Sequence, residues 1–282
     1  MNLAAWLTRV PGVVGLWQRY PFGSVAQRAQ YDIWMRPAYG YGLFEAARLA
    51  KSLGVPRFSA IEFGVAGGRG LLALENLARE IGAHWDLDIR VIGFDSGQGL
   101  PPPVDYRDLP HVWSSGDYRM DAGELRRRLT RAELILGPVA ETIGVFLRER
   151  CQEPIGFISF DLDYYSSTVD AFEVFLGPPT TRLPRLPCYF DDLIFPEDGF
   201  QNDYVGEMLA IREFNERSAS MKLCPVRHLR HIRPRPAFWH EQMYVMHDFS
   251  HPQYGQNVRP RDESTRQLPL GPRVPTSPSR DS

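Results

Sequence analysis

The chain has 282 residues, 43% of them hydrophobic, and a formal net charge of -2. A chain of this length can bury a substantial core as one large α/β domain or two small ones. Because the charges are nearly balanced, no global basic field is available to hold nucleic acid without sequence preference. We therefore predict a small-molecule partner and no nucleic acid.

Cysteine usage and hydropathy indicate where the protein works. Cys151, Cys188 and Cys224 stand singly, without the spacing of a zinc site or the dense pattern of a secreted disulfide scaffold. Residues 1–20 are mildly apolar, but arginine, proline and glycine interrupt them, so we predict no signal peptide and no transmembrane helix. These features predict a cytoplasmic protein without stable membrane association, and they leave a homo-oligomer open.

The two ends of the chain differ from its central part. Helical periodicity over 42–50 ends at Gly54, a typical stop signal. We predict that 1–55 form an N-terminal helical extension packed on a core domain of 56–250. The segment 251–282 is rich in Pro, Arg, Ser, Gln and Asp and nearly lacks large apolar residues, so we predict a disordered tail.

The central part alternates short apolar strands with longer amphipathic segments, which is typical of a parallel sheet covered by helices on both faces. The predicted strands are 59–63, 88–94, 133–136, 156–160 and 188–190. The predicted helices are 70–81, 122–129, 141–150, 167–176 and 204–217. Two later apolar stretches, 221–226 and 242–246, are predicted to close the sheet as a hairpin. This order predicts a Rossmann-like α/β fold with a mostly parallel seven-stranded sheet.

A glycine-rich loop follows the first predicted strand. Residues 61–70 leave the strand, pass four glycines and enter a helix. Glycines permit positive φ and let a ligand approach bare backbone beside the N–H groups of a helix N-terminus. The loop therefore predicts a nucleotide-like ligand at the carboxyl edge of the sheet. It does not match the dinucleotide fingerprint G-x-G-x-x-G in register, which disfavours a nicotinamide-dependent oxidoreductase.

The same loop contains E-x-G-x-x-x-G as Glu62, Gly64 and Gly68, which resembles motif I of class I S-adenosylmethionine (SAM) dependent methyltransferases. The resemblance implies that the loop lies against the methionine part and the ribose of SAM. It also implies that the acidic residue helps to hold the amino group of SAM. The predicted order of strands and helices is that of the class I methyltransferase sheet, so we predict this fold.

The second strand ends at Asp95, whose carboxylate can accept hydrogen bonds from ribose hydroxyls. The motif D-S-x-x-G-L-P over 95–101 resembles that of the macrocin O-methyltransferase family of metal-dependent sugar O-methyltransferases. Gly97 replaces the aromatic residue that usually follows the serine in that family. Pro138 stands where many relatives carry Asp or Asn near adenine, and it has no backbone N–H to donate. The residues predicted to bind SAM are Glu62, Gly64, Val65, Gly67, Gly68, Asp95 and Ser96.

Acidic residues end the fourth and fifth strands, with Asp161 and Asp163 after the fourth and Asp191 and Asp192 after the fifth. If these strands are parallel neighbours, Asp161 and the later pair converge at the carboxyl edge beside the ligand crevice. Carboxylates in one place repel each other unless a cation joins them, and oxygen ligands suit Mg²⁺ or a similar hard divalent ion. The simpler alternative is that Asp163 caps a helix and the later pair lies in a turn.

The pattern D-x-D-x-Y-x-S-T, present over 161–168 with one extra residue before the serines, also resembles the macrocin-type family. Leu162 replaces the glycine that commonly lies between the two aspartates, and a proline-rich insertion over 178–187 lengthens the next loop. The resemblance implies that Asp163 is the catalytic base. The metal ligands that it implies are Asp161, Asp191 and Asp192.

These features together predict a SAM-dependent methyltransferase that carries out divalent-metal-assisted O-methylation. A cation that contacts substrate hydroxyls lowers their pKa and fixes their direction, so the acceptor should carry vicinal oxygens. A sugar, a glycosylated natural product or a catechol meets this requirement. Two alternatives stay open: a metal-independent methyltransferase acting on another acceptor, and a non-catalytic binding protein that keeps the fold.

Overall fold

The computed structural model of the protein describes residue 6 and the ranges 8–194 and 202–259. The strands are β1 (Arg57–Phe63), β2 (Asp88–Asp95), β3 (Glu133–Leu136), β4 (Ile155–Phe160), β5 (Arg185–Phe190), β6 (Met221–Pro225) and β7 (Met243–Asp248). The helices before β3 are α1 (Val13–Arg19), α2 (Val25–Gln30), α3 (Pro37–Leu53), α4 (Arg69–Trp85) and α5 (Ala122–Arg128). The later helices are α6 (Val139–Glu149), α7 (Tyr165–Ala171), α8 (Gly206–Arg217), α9 (Leu229–Ile232) and α10 (Trp239–Gln242).

The seven strands form one sheet in the order β3-β2-β1-β4-β5-β7-β6. Strands β1 to β5 are parallel to one another, whereas β7 runs antiparallel to both β5 and β6. The predicted Rossmann-like α/β fold with a mostly parallel seven-stranded sheet is therefore confirmed, including the closing hairpin. Strand β5 begins at Arg185, inside the proline-rich insertion and three residues before the predicted start.

Two apolar cores cover the two faces of the sheet. One packs α3 and α4 on the sheet and includes Leu43 and Leu74. The other packs α6, α7 and α8 on the opposite face and includes Ile143 and Leu209. Because β1 and β4 lie in the middle of the sheet and are covered on both sides, all of their residues except Arg57 are buried, including the polar Ser59, Glu62 and Ser159.

Helix α3, which belongs to the segment predicted as an N-terminal extension packed on the core domain, packs directly on the sheet. A Cβ at Gly42 would lie 2.3 Å from the ring of Phe157, so the small residue permits close helix–strand contact. The helix ends at Gly54, as predicted, with φ of 72°. None of the helices in the described ranges combines the length and apolarity needed to cross a membrane.

Residues 251–259, which composition assigns to the disordered tail, pack against the end of the sheet. His251 is buried, and the guanidinium of Arg185 lies 5.1 Å from the centre of the Tyr254 ring. The Tyr254 hydroxyl also lies 2.9 Å from Nδ1 of His247. A few aromatic contacts are enough to order the start of this segment, although its average composition is polar. The rest of the predicted tail, from residue 260, lies outside the described residues.

A buried ion pair joins the proline-rich insertion to β7. Both Nε and Nη2 of Arg182 donate to Oδ2 of Asp248, at 3.0 and 2.8 Å. The pair lies at the amino end of β5, because the backbone N–H of Asp248 donates to the carbonyl of Pro184. The insertion therefore ties β7, at the antiparallel side of the sheet, to the segment that precedes β5.

Candidate functional site

A cavity of about 600 Å³ lies at the carboxyl edge of the parallel strands. Each of the five parallel strands contributes a residue from the loop that follows it or from its own end, and these residues are Gly64, Asp95, Gly137, Asp161 and Asp191. Cavities of about 300–1,000 Å³ are typical of small-molecule sites. The position is also the expected one, because ligands of open α/β sheets bind outside the carboxyl ends of the strands.

Two glycines of the glycine loop are needed for the packing of the fold itself. Gly64 has φ of 80°, and a Cβ there would lie 1.7 Å from the carbonyl oxygen of Asp161. Gly68 has φ of 78° at the start of α4, and a Cβ there would lie 2.3 Å from Leu125 Cδ1. Gly67, by contrast, is exposed and has open space where its Cβ would be. Gly64 and Gly68 are therefore required for the loop to pack against β4 and α5, whatever ligand it holds.

The predicted cofactor residues divide into those that line the cavity and those that lie behind it. Those in the cavity wall are Gly64, Asp95 and Ser96. Those outside the wall are Glu62, Val65, Gly67 and Gly68. Val65 is buried with its side chain directed toward Gly93, so it can offer a ligand only its backbone.

Glu62 lies in a buried polar chain behind the glycine loop. Its Oε1 accepts a hydrogen bond of 2.6 Å from the hydroxyl of Tyr39, which in turn accepts one of 2.9 Å from Oγ of Ser159. Its Oε2 is buried and has no hydrogen-bond partner among the described residues. Burial is the main reason that the pKa of Glu62 rises to about 8. The free oxygen is suited to a positively charged donor, because a buried carboxylate without a partner is costly.

Asp95 links the loops that follow β1 and β2. Its Oδ2 accepts from the backbone N–H groups of Val65 and Ala66, at 2.9 and 2.8 Å, and its Oδ1 accepts from that of Gly97 at 2.6 Å. Each carboxylate oxygen can accept more than one hydrogen bond, so these contacts leave capacity for ribose hydroxyls. Ser96 is fixed in the same turn, since its Oγ donates to the carbonyl of Gly99 at 2.9 Å.

Residues 99–118, which we call the cover segment, form an apolar wall of the cavity. The wall residues of this segment are Gly99, Leu100, Pro101, Pro102, Val104, Trp113 and Tyr118. Asp108 fixes the segment to α7, because its Oδ1 accepts from the backbone N–H of Ser166 at 2.8 Å and its Oδ2 from the Ser166 hydroxyl at 2.9 Å. Leu162 and Pro138, which depart from the family pattern, also lie in the cavity wall.

Carboxylate oxygens of Asp161, Asp191 and Asp192 lie within 4.8 Å of one another at the end of β4 and β5. Asp191 Oδ1 accepts from the hydroxyl of Tyr189 at 2.7 Å, and Asp192 Oδ2 accepts from the backbone N–H of Asp163 at 2.8 Å. The structure therefore brings together the three residues that the sequence proposes as metal ligands. We call these three residues the acidic cluster.

The electrostatics of the acidic cluster favour a cation. Burial, followed by repulsion between neighbouring carboxylates, raises the pKa of both Asp161 and Asp192 well above the usual range. Carboxylates arranged in this way ionise together only when positive charge is supplied. An all-oxygen donor set fits Mg²⁺ or Ca²⁺ better than zinc.

Asp163 lies in the cavity wall beside the acidic cluster. It is buried, lines the cavity and has φ of 59°, a left-handed conformation that is uncommon outside glycine, although aspartate adopts it more readily than most residues. Backbone strain of this kind is frequently found at functional sites. Burial first, then the charges of Asp161 and Asp191, raise the pKa of Asp163 to about 7. A carboxylate with this pKa is suited to exchange a proton near neutral pH.

The structure adds a residue to the acidic edge that sequence reasoning did not identify. Glu207, in the first turn of α8, is fully buried, and its Oε2 accepts from the backbone N–H of Asp192 at 3.1 Å. Its Oε1 has no hydrogen-bond partner among the described residues. An acidic residue in the first turn of a helix is ordinary, so the sequence offers no signal for this role. Glu207 holds the turn that carries Asp191 and Asp192.

Comparisons with known proteins support the fold. The sequence matches no protein-family model, and comparison with curated proteins gives no match. Among solved structures, CalS11, a calicheamicin methyltransferase, is 21% identical with a TM-score of 0.52, and the match covers 86% of this chain and 88% of that one. NovP, an O-methyltransferase, is 18% identical over 73% of this chain and 79% of its own, with a TM-score of 0.47. What the similarity to CalS11 shows is a shared fold.

Proposed function

We propose that this chain is a SAM-dependent methyltransferase that methylates a hydroxyl of a small molecule, assisted by Mg²⁺ or a similar divalent cation. The observation that carries the proposal is the acidic cluster, which lies beside the cavity and the glycine loop at the carboxyl edge of this sheet. The fold is shared with CalS11, which is a methyltransferase. The macrocin-type motifs support an acceptor with vicinal oxygens, such as a sugar, a glycosylated natural product or a catechol.

The residues behind and beside the glycine loop fit SAM. Glu62 offers a free, buried carboxylate oxygen to an amino group, and Asp95 offers oxygens to ribose hydroxyls. The backbone of Gly64 and Ala66 faces the cavity without a bulky side chain. Negative and neutral acceptors at this position suit a cofactor that carries an amino-acid group and a sulfonium.

The acidic cluster fits a hard divalent cation. Asp161, Asp191 and Asp192 would hold the ion with oxygen ligands only, and Glu207 would keep the turn that carries two of them in place. When they are bound, SAM supplies an electrophilic methyl group and the cation lowers the pKa of a hydroxyl that it contacts. Vicinal oxygens on the acceptor would give the cation two contacts.

Asp163 is placed to accept the proton that the acceptor hydroxyl loses. It lines the cavity next to the acidic cluster, and its backbone N–H donates to Asp192, which fixes its position relative to the metal ligands. The cover segment adds apolar side chains to the cavity wall, among them Leu100, Pro101 and Trp113, which would reduce the access of water to the reacting groups. Positioning of this kind supplies much of the rate in a group transfer.

The test of the proposed function is a transfer assay with SAM that carries a tritiated methyl group. The acceptors are a panel of sugars, glycosylated natural products and catechols, each assayed with Mg²⁺ and with a chelator. We expect label in an acceptor with vicinal hydroxyls and only in the presence of the cation. Undiminished transfer in the chelator would contradict the role of the metal. Failure of the protein to bind SAM in calorimetry would contradict the methyltransferase itself.

A further inference from the structure

Arg36 and Glu62 lie on either side of one buried phenol ring. Arg36 immediately precedes α3, and its guanidinium carbon lies 5.4 Å from the centre of the Tyr39 ring. The hydroxyl of Tyr39 donates to Glu62 Oε1 at 2.6 Å. The ring is fully buried and packs against Phe157 and Tyr189, with centroids 5.9 and 5.7 Å away. A rigid spacer therefore holds a cationic and an anionic side chain at a fixed separation.

Both charged groups have hydrogen-bonding capacity that the protein does not use. Glu62 Oε2 is buried without a partner, and the guanidinium of Arg36 makes no ion pair or hydrogen bond within the described part of the chain. Burial lowers the pKa of Arg36, but the charges of Tyr39, Glu62, Asp161 and Asp191 act in the opposite direction and raise it overall. Arg36 is thus a half-buried cation behind the cavity wall, close enough to Asp161 and Asp191 for their charges to raise its pKa, with guanidinium donors left for an anion.

The opposite charges of Arg36 and Glu62 indicate which chemical group of a ligand would satisfy both side chains. A ligand anion alone would satisfy Arg36 and leave the free oxygen of Glu62 buried without a partner. A ligand cation alone would leave Arg36 without one. An amino-acid zwitterion satisfies both, since its carboxylate pairs with a guanidinium and its ammonium with a carboxylate. Of the ligands considered, only the methionine end of SAM carries this pair of charges.

We propose that Arg36 binds the α-carboxylate of SAM while Glu62 binds its α-ammonium group, so that the two residues together recognise the amino-acid end of the cofactor. The inference rests on the proposed function. The sequence resemblance already implies the contact of Glu62, whereas the role of Arg36 and the use of Tyr39 as the spacer come from the structure. Arg36 is a binding residue for the cofactor and takes no part in proton transfer.

The experiment compares two ligands by calorimetry. S-adenosylhomocysteine (SAH) carries the amino-acid end, whereas 5′-methylthioadenosine carries the adenosine and the thioether without it. We expect Arg36→Met to weaken SAH binding about 10- to 100-fold, as for loss of a hydrogen bond between charged groups, and to leave methylthioadenosine binding unchanged. The matched control is Arg48→Met on the exposed side of α3, which should change neither affinity. Arg36→Lys should retain part of the SAH affinity, because it keeps the charge but loses the planar fork.

The outcomes separate this inference from the function on which it rests. Equal weakening of both ligands by Arg36→Met and Arg36→Lys would show that Arg36 only supports the shape of the site, and would overturn the assignment. Unchanged SAH affinity in both variants would overturn it as well. If the wild-type protein binds methylthioadenosine and SAH equally well, no amino-acid recognition exists. If it binds neither ligand, the proposed function fails together with the assignment.

Discussion

Carboxylate side chains lie at both ends of strand β5, and the two ends differ in the positive charge that the protein places beside them. At the amino end, Asp248 is fully buried, and Arg182, with a side chain only 3% exposed, donates to it twice. Burial opposes its ionisation, but hydrogen bonds from Ser250 and Arg182 hold the pKa of Asp248 below the usual range. At the carboxyl end, the carboxylates of Asp161, Asp191 and Asp192 lie within 4.8 Å of one another, and the charge of Arg36 lowers the pKa of Asp161 less than burial and the neighbouring carboxylates raise it.

This difference indicates that the amino end of β5 has a structural role and that its carboxyl end has a functional one. A buried carboxylate with a built-in cation is part of the fold, because removing either partner leaves a buried charge. A group of buried carboxylates without one is stable only with protons or with an added cation. The fold tolerates this cost at the edge where a ligand binds, which is where perturbed pKa values are usually found.

The largest expected effect is on turnover, and it is confined to the carboxyl end of β5. Asp163→Asn removes the proposed proton acceptor but keeps its size, so we expect kcat to fall about 100- to 10,000-fold. SAH affinity should stay the same, because Asp163 is not among the residues that hold the cofactor. The measurement is a steady-state transfer assay paired with calorimetry. Asp88→Asn, at the opposite edge of the sheet, is the control with normal turnover.

A large effect on stability is expected at the amino end. Asp248→Asn leaves the guanidinium of Arg182 buried without its counter-charge and should lower the free energy of unfolding by about 3–5 kcal/mol. Asp88, with a side chain 48% exposed, pairs with Arg57 and Arg131, and its replacement by Asn should cost less than about 1 kcal/mol. Urea unfolding of the two variants measures the contrast. Equal losses would mean that burial of the pair does not matter.

A change of opposite sign is expected at the carboxyl end. Asp161→Asn removes one of the mutually repelling carboxylates, so in a chelating buffer it should raise the free energy of unfolding by about 1 kcal/mol or more. In saturating Mg²⁺ the order should reverse, because the wild-type protein gains the binding energy of the ion and the variant gains less. Urea unfolding in the two buffers tests this. Destabilisation of the variant in the chelator would contradict mutual repulsion.

The smallest expected effect is a pH dependence of Tm. Folding raises the pKa of Asp163 to about 7 and that of Glu62 to about 8, whereas unfolded carboxyl groups titrate near their ordinary values. The folded state therefore holds more protons between about pH 4 and 8, and stability is lost as the pH rises through that window. In a chelating buffer, Tm should fall between pH 5 and 8, and Mg²⁺ should reduce the fall. A Tm that rises over this interval in the chelator would contradict the shifts.

The site residues that follow the parallel strands could be predicted from the sequence. Parallel strands bring their carboxyl ends to one edge, so Asp161, Asp191 and Asp192 could be placed together from their positions after apolar runs. The same rule located Asp95 and the glycine loop. The alternation of strands and helices along the chain, together with the family resemblance, predicted a mostly parallel seven-stranded sheet, and the sheet has seven strands.

The other residues of the site could not be predicted, because their roles depend on contacts between segments that are distant in the sequence. Glu207 looks like an ordinary acidic residue in the first turn of α8, and only the packing of that helix brings it against Asp192. Arg36 lies before β1, in a segment with no motif, and Tyr39 links it to Glu62 only in the folded chain. The glycine motif was ambiguous for a different reason. Gly64 serves both the fold and the ligand loop, and sequence alone cannot separate the two roles.

The cation site is tested most directly by titrating the protein with Mn²⁺ in the presence of SAH and following the free ion by electron paramagnetic resonance. We expect that each wild-type chain binds a single Mn²⁺, that Asp161→Asn abolishes this binding, and that Asp88→Asn leaves it intact. Binding that is absent from the wild-type protein, or that is unchanged in Asp161→Asn, would contradict the assignment of the acidic cluster as a cation site.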